Sequence, residues 1–232
     1  MHIGILETGA PPGDLSEKHG DYAGMVARLL GPGHLYTRYD VRAGGLPGDP
    51  GECDAYVVTG SAAGVNDGLP WTGSLAAFLR AARGRARLIG ICFGHQAIAH
   101  AFGGRVEKAP QGWGLGITRY VLERPIAGLP PQVAAMASHQ DQVIEPPAGA
   151  TVIASTAFTP CAALAYPHGE ALTLQFHPEF DAAYGRALIG AHAAPDIDDA
   201  LRSRALGSMA APGDNAAIGD WLNRYLATGS ID

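Results

Sequence analysis

Cys92 sits in Arg87-Leu88-Ile89-Gly90-Ile91-Cys92-Phe93-Gly94-His95-Gln96, where an apolar strand runs into a helix, with a glycine two residues to either side. Glycines at those positions remove the side chains that would crowd a sharp strand-to-helix turn. Such a turn strains the central residue and projects its thiol into solvent above the strand ends. It also sets a helix N-terminus behind the sulfur, which favours the thiolate. The backbone N–H of Phe93 would point toward an oxyanion formed on a carbonyl attacked by Cys92. A free cysteine is more often a small buried core residue. The paired glycines and the strand–helix junction reverse that reading for Cys92, whereas Cys53 and Cys161 lack such a setting and read as core.

A cysteine nucleophile needs a base or a stabilising imidazolium, itself held by a third polar group. Of nine histidines, His177 stands out because it closes the apolar run Leu172-Thr173-Leu174-Gln175-Phe176 and is followed by Pro178-Glu179. A histidine at the C-terminal end of a strand in a parallel sheet shares an edge with a nucleophile elbow. Glu179 can reach back to the other ring nitrogen and fix tautomer and orientation. His139, in Ser138-His139-Gln140-Asp141-Gln142-Val143, is the rival base, at a pocket or a turn. The direction of His95, inside the elbow, is not settled by sequence.

The elements that must position these groups follow from periodicity. Apolar runs at His2–Leu6, Leu35–Tyr39, Ala55–Val58 and Arg87–Ile91 read as strands. Helical spacing over Tyr22–Leu30, Leu69–Arg83 and Gly94–Phe102 alternates with them, which implies a parallel sheet covered by helices. From Gly104 to Phe176 the texture changes to short runs between Pro/Gly turns: Ile117–Leu122, Val133–Ala137, Val152–Ala154 and Leu172–Gln175. These read as antiparallel strands added to the same unit. Helices are expected over Asp181–Gly190, Asp196–Leu206 and Asp214–Leu226. The expected architecture is α/β: one domain over 1–232, with a central, mostly parallel twisted sheet flanked by helices. Its core spans about 53–180, with C-terminal helices over about 181–228.

Bulk properties narrow the class. The 232 residues are 47% hydrophobic, enough for a full core. The net charge of −6 gives no sequence-wide basic character, so neither nucleic acid nor a membrane surface is expected as a partner. Three cysteines without paired spacing argue against a disulfide framework or a zinc site. The opening MHIGILETG has no signal-peptide pattern, and no stretch approaches the ~20 apolar residues that span a bilayer. A cytoplasmic chain with no metal and no organic cofactor is the expectation.

Gly90-Ile91-Cys92-Phe93-Gly94-His95-Gln96 with His177-Pro178-Glu179 resembles the class I, or triad, glutamine amidotransferases. Ser138-His139-Gln140-Asp141-Gln142-Val143, preceded by Gly112-Trp113-Gly114-Leu115-Gly116, resembles the branch of the GMP synthetase glutaminase domain. The resemblance runs from about residue 53 to 180 and implies a flavodoxin-like fold. It also implies Cys92 as nucleophile, His177 as general acid/base and Glu179 as its orienting group. Backbone N–H groups of Gly60, Ser61 and Phe93 would form the oxyanion hole. Gln96 would contact the α-amino acid end of glutamine, with help from Ser138 and His139. Many relatives carry Gly-Gly-Pro where this chain has Thr59-Gly60-Ser61-Ala62, so Ser61 would constrain the peptide flip that forms the hole.

The implied activity is hydrolysis of the glutamine side-chain amide through a γ-glutamyl thioester, releasing glutamate and ammonia. Neither a Ser-Gly-Gly-x-Asp-Ser pyrophosphatase loop nor a Walker-type phosphate cradle is present, so the ammonia would go to a synthase partner, or the enzyme acts alone. The main alternative is a stand-alone γ-glutamyl peptidase or hydrolase for larger γ-glutamyl amides. A non-catalytic binding module is the weaker one. Trp71, Trp113 and Tyr166 are candidates to shape the pocket rim, where the two enzymatic readings would differ.

Overall fold

A computed structural model describes residues 1–232. The first hundred residues alternate β1 (His2–Glu7), α1 (Leu15–His19), α2 (Tyr22–Leu30), β2 (Leu35–Asp40), β3 (Ala55–Val58), α3 (Pro70–Ala82), β4 (Arg87–Ile91) and α4 (Phe93–Ala101). Seven strands follow: β5 (Arg105–Lys108), β6 (Gly114–Leu122), β7 (Gln132–His139), β8 (Asp141–Glu145), β9 (Thr151–Ser155), β10 (Ala163–Ala165) and β11 (Ala171–Leu174). The chain then enters α5 (Ala182–Ala191), α6 (Asp199–Ser208) and α7 (Asn215–Thr228).

Nine strands form one sheet in the order β2-β1-β3-β4-β11-β10-β9-β6-β7. The first five are mutually parallel and the rest join antiparallel. Helices cover both faces, so the central strands are buried on both sides and read as unbroken apolar runs. Alternation along each strand sends Val57, Ile89 and Ile91 to the face packed by residues of α2 and α7, including Val26, Leu30, Trp221 and Leu226. Tyr56, Val58 and Leu88 point to the other face, where Leu75, Phe78, Leu79 and Ile98 of α3 and α4 pack.

The structure corrects one expected strand. The run read as antiparallel over Leu172–Gln175 is β11, which lies parallel to β4 with Leu174 opposite Ile91. Only its other neighbour, β10, is antiparallel. The apolar run gives no direction by itself; burial on both faces and the long excursion from β4 place it in the sheet centre. Sequence reading also missed α1, the three-residue β10, and the separate two-stranded sheet of β5 and β8. α5 and α6 start one and three residues later than expected, because Asp181 and Asp198 are their caps. Each accepts from a backbone N–H three residues on, those of Tyr184 and Leu201.

The tightest packing lies at the β4–α4 junction. A Cβ on Gly94 would overlap the carbonyl oxygen of Val58, and one on Gly90 would stand 2.5 Å from the carbonyl oxygen of Gly94. Both clashes are with backbone, which cannot rotate away. Gly94→Ala should therefore cost about 2–3 kcal/mol in urea unfolding despite the better helix propensity of alanine. Gly73→Ala in α3, where an added Cβ meets nothing within 4 Å, should be neutral or stabilising by up to ~1 kcal/mol. Equal effects at the two positions would contradict this packing.

Candidate active site

Cys92 follows β4 directly and caps α4 with φ 52° and ψ −103°; among non-glycine residues only His168 also has a positive φ. Its N–H donates to the Leu174 carbonyl at 2.8 Å, which ties the elbow to the end of β11. The strain expected from the flanking glycines is thus present. The expected projection into solvent is not: Cys92 is only 5% exposed. Its thiol lies at the floor of a cavity of about 430 Å³, because the loops after β1 and β3 and the chain beyond α5 roof the strand ends.

β11 delivers His177 to the same place. The His177 N–H donates to the Met136 carbonyl at 2.8 Å, and its ring lies flat on Phe180 with centroids 4.1 Å apart. Nδ1 is 2.7 Å from Glu179 Oε1 in a pair removed from solvent. Nε2 is thereby left for the cavity. A Cβ on Gly60 would lie 2.9 Å from His177 Cε1 and 3.8 Å from Cys92 Cβ, so both side chains flank one glycine. Burial disfavours the imidazolium, but the Glu179 carboxylate and the Cys92 sulfur outweigh it and raise His177 to about 10. His139, the rival base, lines the cavity but makes no hydrogen bond through either ring nitrogen. Burial and the neighbouring charge of His177 push it down to about 3, so it is a neutral wall residue. His95 turns away into the core, with Nδ1 2.8 Å from Thr173 Oγ1.

The candidate oxyanion donors sit on two loops. Phe93 is the first residue of α4, where backbone N–H groups have no helical partner. The Gly60 carbonyl accepts from the hydroxyls of Thr8 at 3.3 Å and Thr59 at 3.2 Å, while Ser61 Oγ donates to the Thr8 carbonyl at 2.7 Å. With that carbonyl pinned, the planar trans peptide sends the Ser61 N–H the opposite way, where nothing in the chain bonds it. Ser61 itself lines the cavity.

Of the residues expected around substrate, Ser138 and Gln96 also line the cavity. The Cys92 thiol is 3.8 Å from the Ser138 carbonyl oxygen. Gln96 donates its amide to the Asp141 carbonyl at 2.8 Å and to Gln175 Oε1 at 3.2 Å. Gln175 in turn points its amide at the Cys92 sulfur, 3.6 Å away, and is fully buried. Sequence reading overlooked Gln175; a glutamine inside an apolar strand was the available signal. Asp67, on the loop over Val65–Trp71 that reads from sequence as a pocket rim, and Asp141 both line the cavity. Their carboxylates converge on Gly64, each within 3.0 Å of where its Cβ would be, a pairing the sequence does not show. Burial raises Asp141, and Asp67 adds to the shift while Lys108 opposes it. Trp113 lines the cavity beneath His192. Trp71 and Tyr166 do not: they pack against Phe93 and Phe102. Cys53 and Cys161 are buried and free, as expected.

Chemically, the arrangement offers a strained thiol, an imidazole fixed by a carboxylate, and free N–H groups around one cavity. Comparison with known proteins points the same way. The profile of the class I glutamine amidotransferases matches residues 48–189. A glutamine amidotransferase-like protein of Schizosaccharomyces pombe is 29% identical over 97% of this chain and 98% of its own. A glutamine-hydrolysing GMP synthase component of Ignicoccus hospitalis is 34% identical over 57% of this chain and 70% of its own. The GMP synthase of Thermus thermophilus is 46% identical over 40% of this chain, a match that spans only 18% of that enzyme. In fold, a Thermotoga maritima glutamine amidotransferase superposes with a TM-score of 0.73 over 99% of this chain and 98% of its own, at 18% identity. The chain belongs to the class I glutamine amidotransferase family.

Proposed function

We propose that this chain hydrolyses the side-chain amide of glutamine, with Cys92 as nucleophile, His177 as general acid/base and Glu179 as the group that orients it. The observation that carries this is the strained Cys92 facing a buried His177–Glu179 pair across Gly60. Sγ attacks the amide carbon, and the oxyanion would be met by backbone N–H groups of Gly60, Ser61 and Phe93. His177 Nε2 passes its proton to the amide nitrogen, the C–N bond breaks and ammonia leaves. Water, deprotonated by the same nitrogen, then splits the γ-glutamyl thioester to glutamate. Gln96, Ser138 and His139, which line the same cavity, would hold the amino-acid end of the substrate. Relatives named as GMP synthase subunits favour a synthase partner that would accept the ammonia.

Two observations favour the second reading, a γ-glutamyl hydrolase that acts without a partner. The cavity, at about 430 Å³, lies within the ~300–1,000 Å³ range of small-molecule sites and leaves room beside a γ-glutamyl group. The Thr8–Gly60 and Ser61–Thr8 hydrogen bonds fix the Gly60–Ser61 peptide within the chain itself, which supports a hole formed without a partner. Release of glutamate from L-glutamine and from γ-glutamyl amides by the purified chain separates the readings. Slow turnover of glutamine alone marks a glutaminase that lacks its synthase, whereas turnover of the larger amides marks the hydrolase. Under either, Cys92→Ala should lower kcat/KM by ~10⁴-fold or more. Retention of activity by that variant would refute the assignment.

The carboxylate beside His177 sets the alkaline limit of activity. A raised pKa keeps the ring protonated to higher pH, and the uncharged amide of Glu179→Gln removes much of that support. The alkaline limb of the kcat/KM profile should therefore move to lower pH in Glu179→Gln, with kcat down ~10²–10⁴-fold. An unmoved limb would show that His177 does not set it. For Gln175→Leu, loss of the hydrogen bond to the sulfur should slow iodoacetamide alkylation of Cys92 at neutral pH about tenfold, measured by intact-mass kinetics.

A further inference from the structure

Two chemically different groups of residues line the cavity, each held together by its own contacts. At one end the carboxylates of Asp67 and Asp141 meet at Gly64, Lys108 pairs with Asp141 across β5 and β8, and Gln96 bonds to the Asp141 carbonyl. The other is walled by Ala10, Pro12, Tyr22, Phe180 and Leu188, none of which bears a charge. The Tyr22 hydroxyl is bonded to Tyr184 at 3.2 Å, and burial pushes it up to about 12, so it stays neutral. This apolar wall begins at the proton donor itself. The His177 ring stacks on Phe180 at 4.1 Å, and Phe180 packs on Tyr22 at 5.6 Å.

We infer that the apolar end is the leaving-amine subsite and that it selects γ-glutamyl amides of uncharged, apolar amines such as arylalkylamines. The inference rests on the γ-glutamyl reading of the site. The γ-glutamyl head is a zwitterion, and its two charges find charged partners at the Asp67–Lys108–Asp141 end, with Gln96 and Ser138 also in the lining. That orientation puts the scissile nitrogen beside His177 Nε2 and the amine substituent against Phe180, Tyr22 and Leu188. In the step itself, the Sγ–C bond forms and the C–N bond breaks. The His177 proton goes to the departing nitrogen, which leaves as the free amine, and water later releases glutamate. A substituent bearing a carboxylate would be stripped of water there with no cation beyond the His177 ring, whose charge Glu179 already balances, whereas an aromatic ring would exchange water for aromatic and aliphatic contacts.

The test compares L-glutamine, γ-glutamylbenzylamide and γ-glutamylglycine, the last two having leaving amines of similar basicity. The benzylamide should show kcat/KM at least about tenfold above γ-glutamylglycine. Leu188→Asp should shrink that ratio at least severalfold. A second measurement needs no variant: during glutamine turnover, added benzylamine should capture the thioester as γ-glutamylbenzylamide, and glycine at equal concentration should not. If γ-glutamylglycine is cleaved as fast as the benzylamide and glycine captures equally well, the inference is wrong. Turnover of glutamine with neither larger amide cleaved also overturns it, and leaves the glutaminase reading standing. No turnover of any of the three overturns both.

Discussion

Everything at this site depends on the backbone of one residue. Cys92 is held at φ 52°, a conformation that costs on the order of 1–3 kcal/mol for a residue with a side chain. Three neighbours make it affordable: Gly90 and Gly94 leave no side chains in the turn, and the Leu174 carbonyl receives the Cys92 N–H. The third of these exists only because β11 runs parallel to β4 with Leu174 level with Ile91. The same register carries the chain to His177 three residues later. Strand pairing thus sets the strain at the thiol and the position of the imidazole together.

The second constraint is electrostatic. An imidazolium in this buried position would ordinarily lose its proton, as the neighbouring buried His139 does. His177 is driven the other way by Glu179 at 2.7 Å and by the sulfur across Gly60. Two histidines on adjoining walls of one cavity therefore differ in charge because only one has a carboxylate partner. Gln175 and Gln96 extend this polarity inward as a chain of amides, from the Asp141 carbonyl to the Cys92 sulfur. The proposed reaction needs a base that can also return a proton, and this environment supplies one.

Much of this was legible in the sequence because it lies in short contiguous patterns. Gly90-Ile91-Cys92-Phe93-Gly94 specifies its own turn, and His177-Pro178-Glu179 specifies its own hydrogen bond. What was hidden depends on residues far apart in the chain. The direction of β11 was misread because an apolar run carries no sign. The thiol was expected in solvent because the roof, built from segments near residues 10, 61 and 191, is assembled only in three dimensions. The hydrogen bond from Ser61 to Thr8, 53 positions away, joins two loops that no local pattern connects. The apolar end of the cavity joins Tyr22 to Leu188, a pairing that no local pattern announces.

The central claim is that Cys92 carries the glutamyl group during turnover. Acid quenching during steady-state hydrolysis, followed by peptide mass spectrometry, tests it directly. The account predicts one γ-glutamyl adduct, on the peptide containing Cys92, lost on treatment with hydroxylamine. Turnover with no adduct, or with the adduct on Cys53 or Cys161, would contradict it.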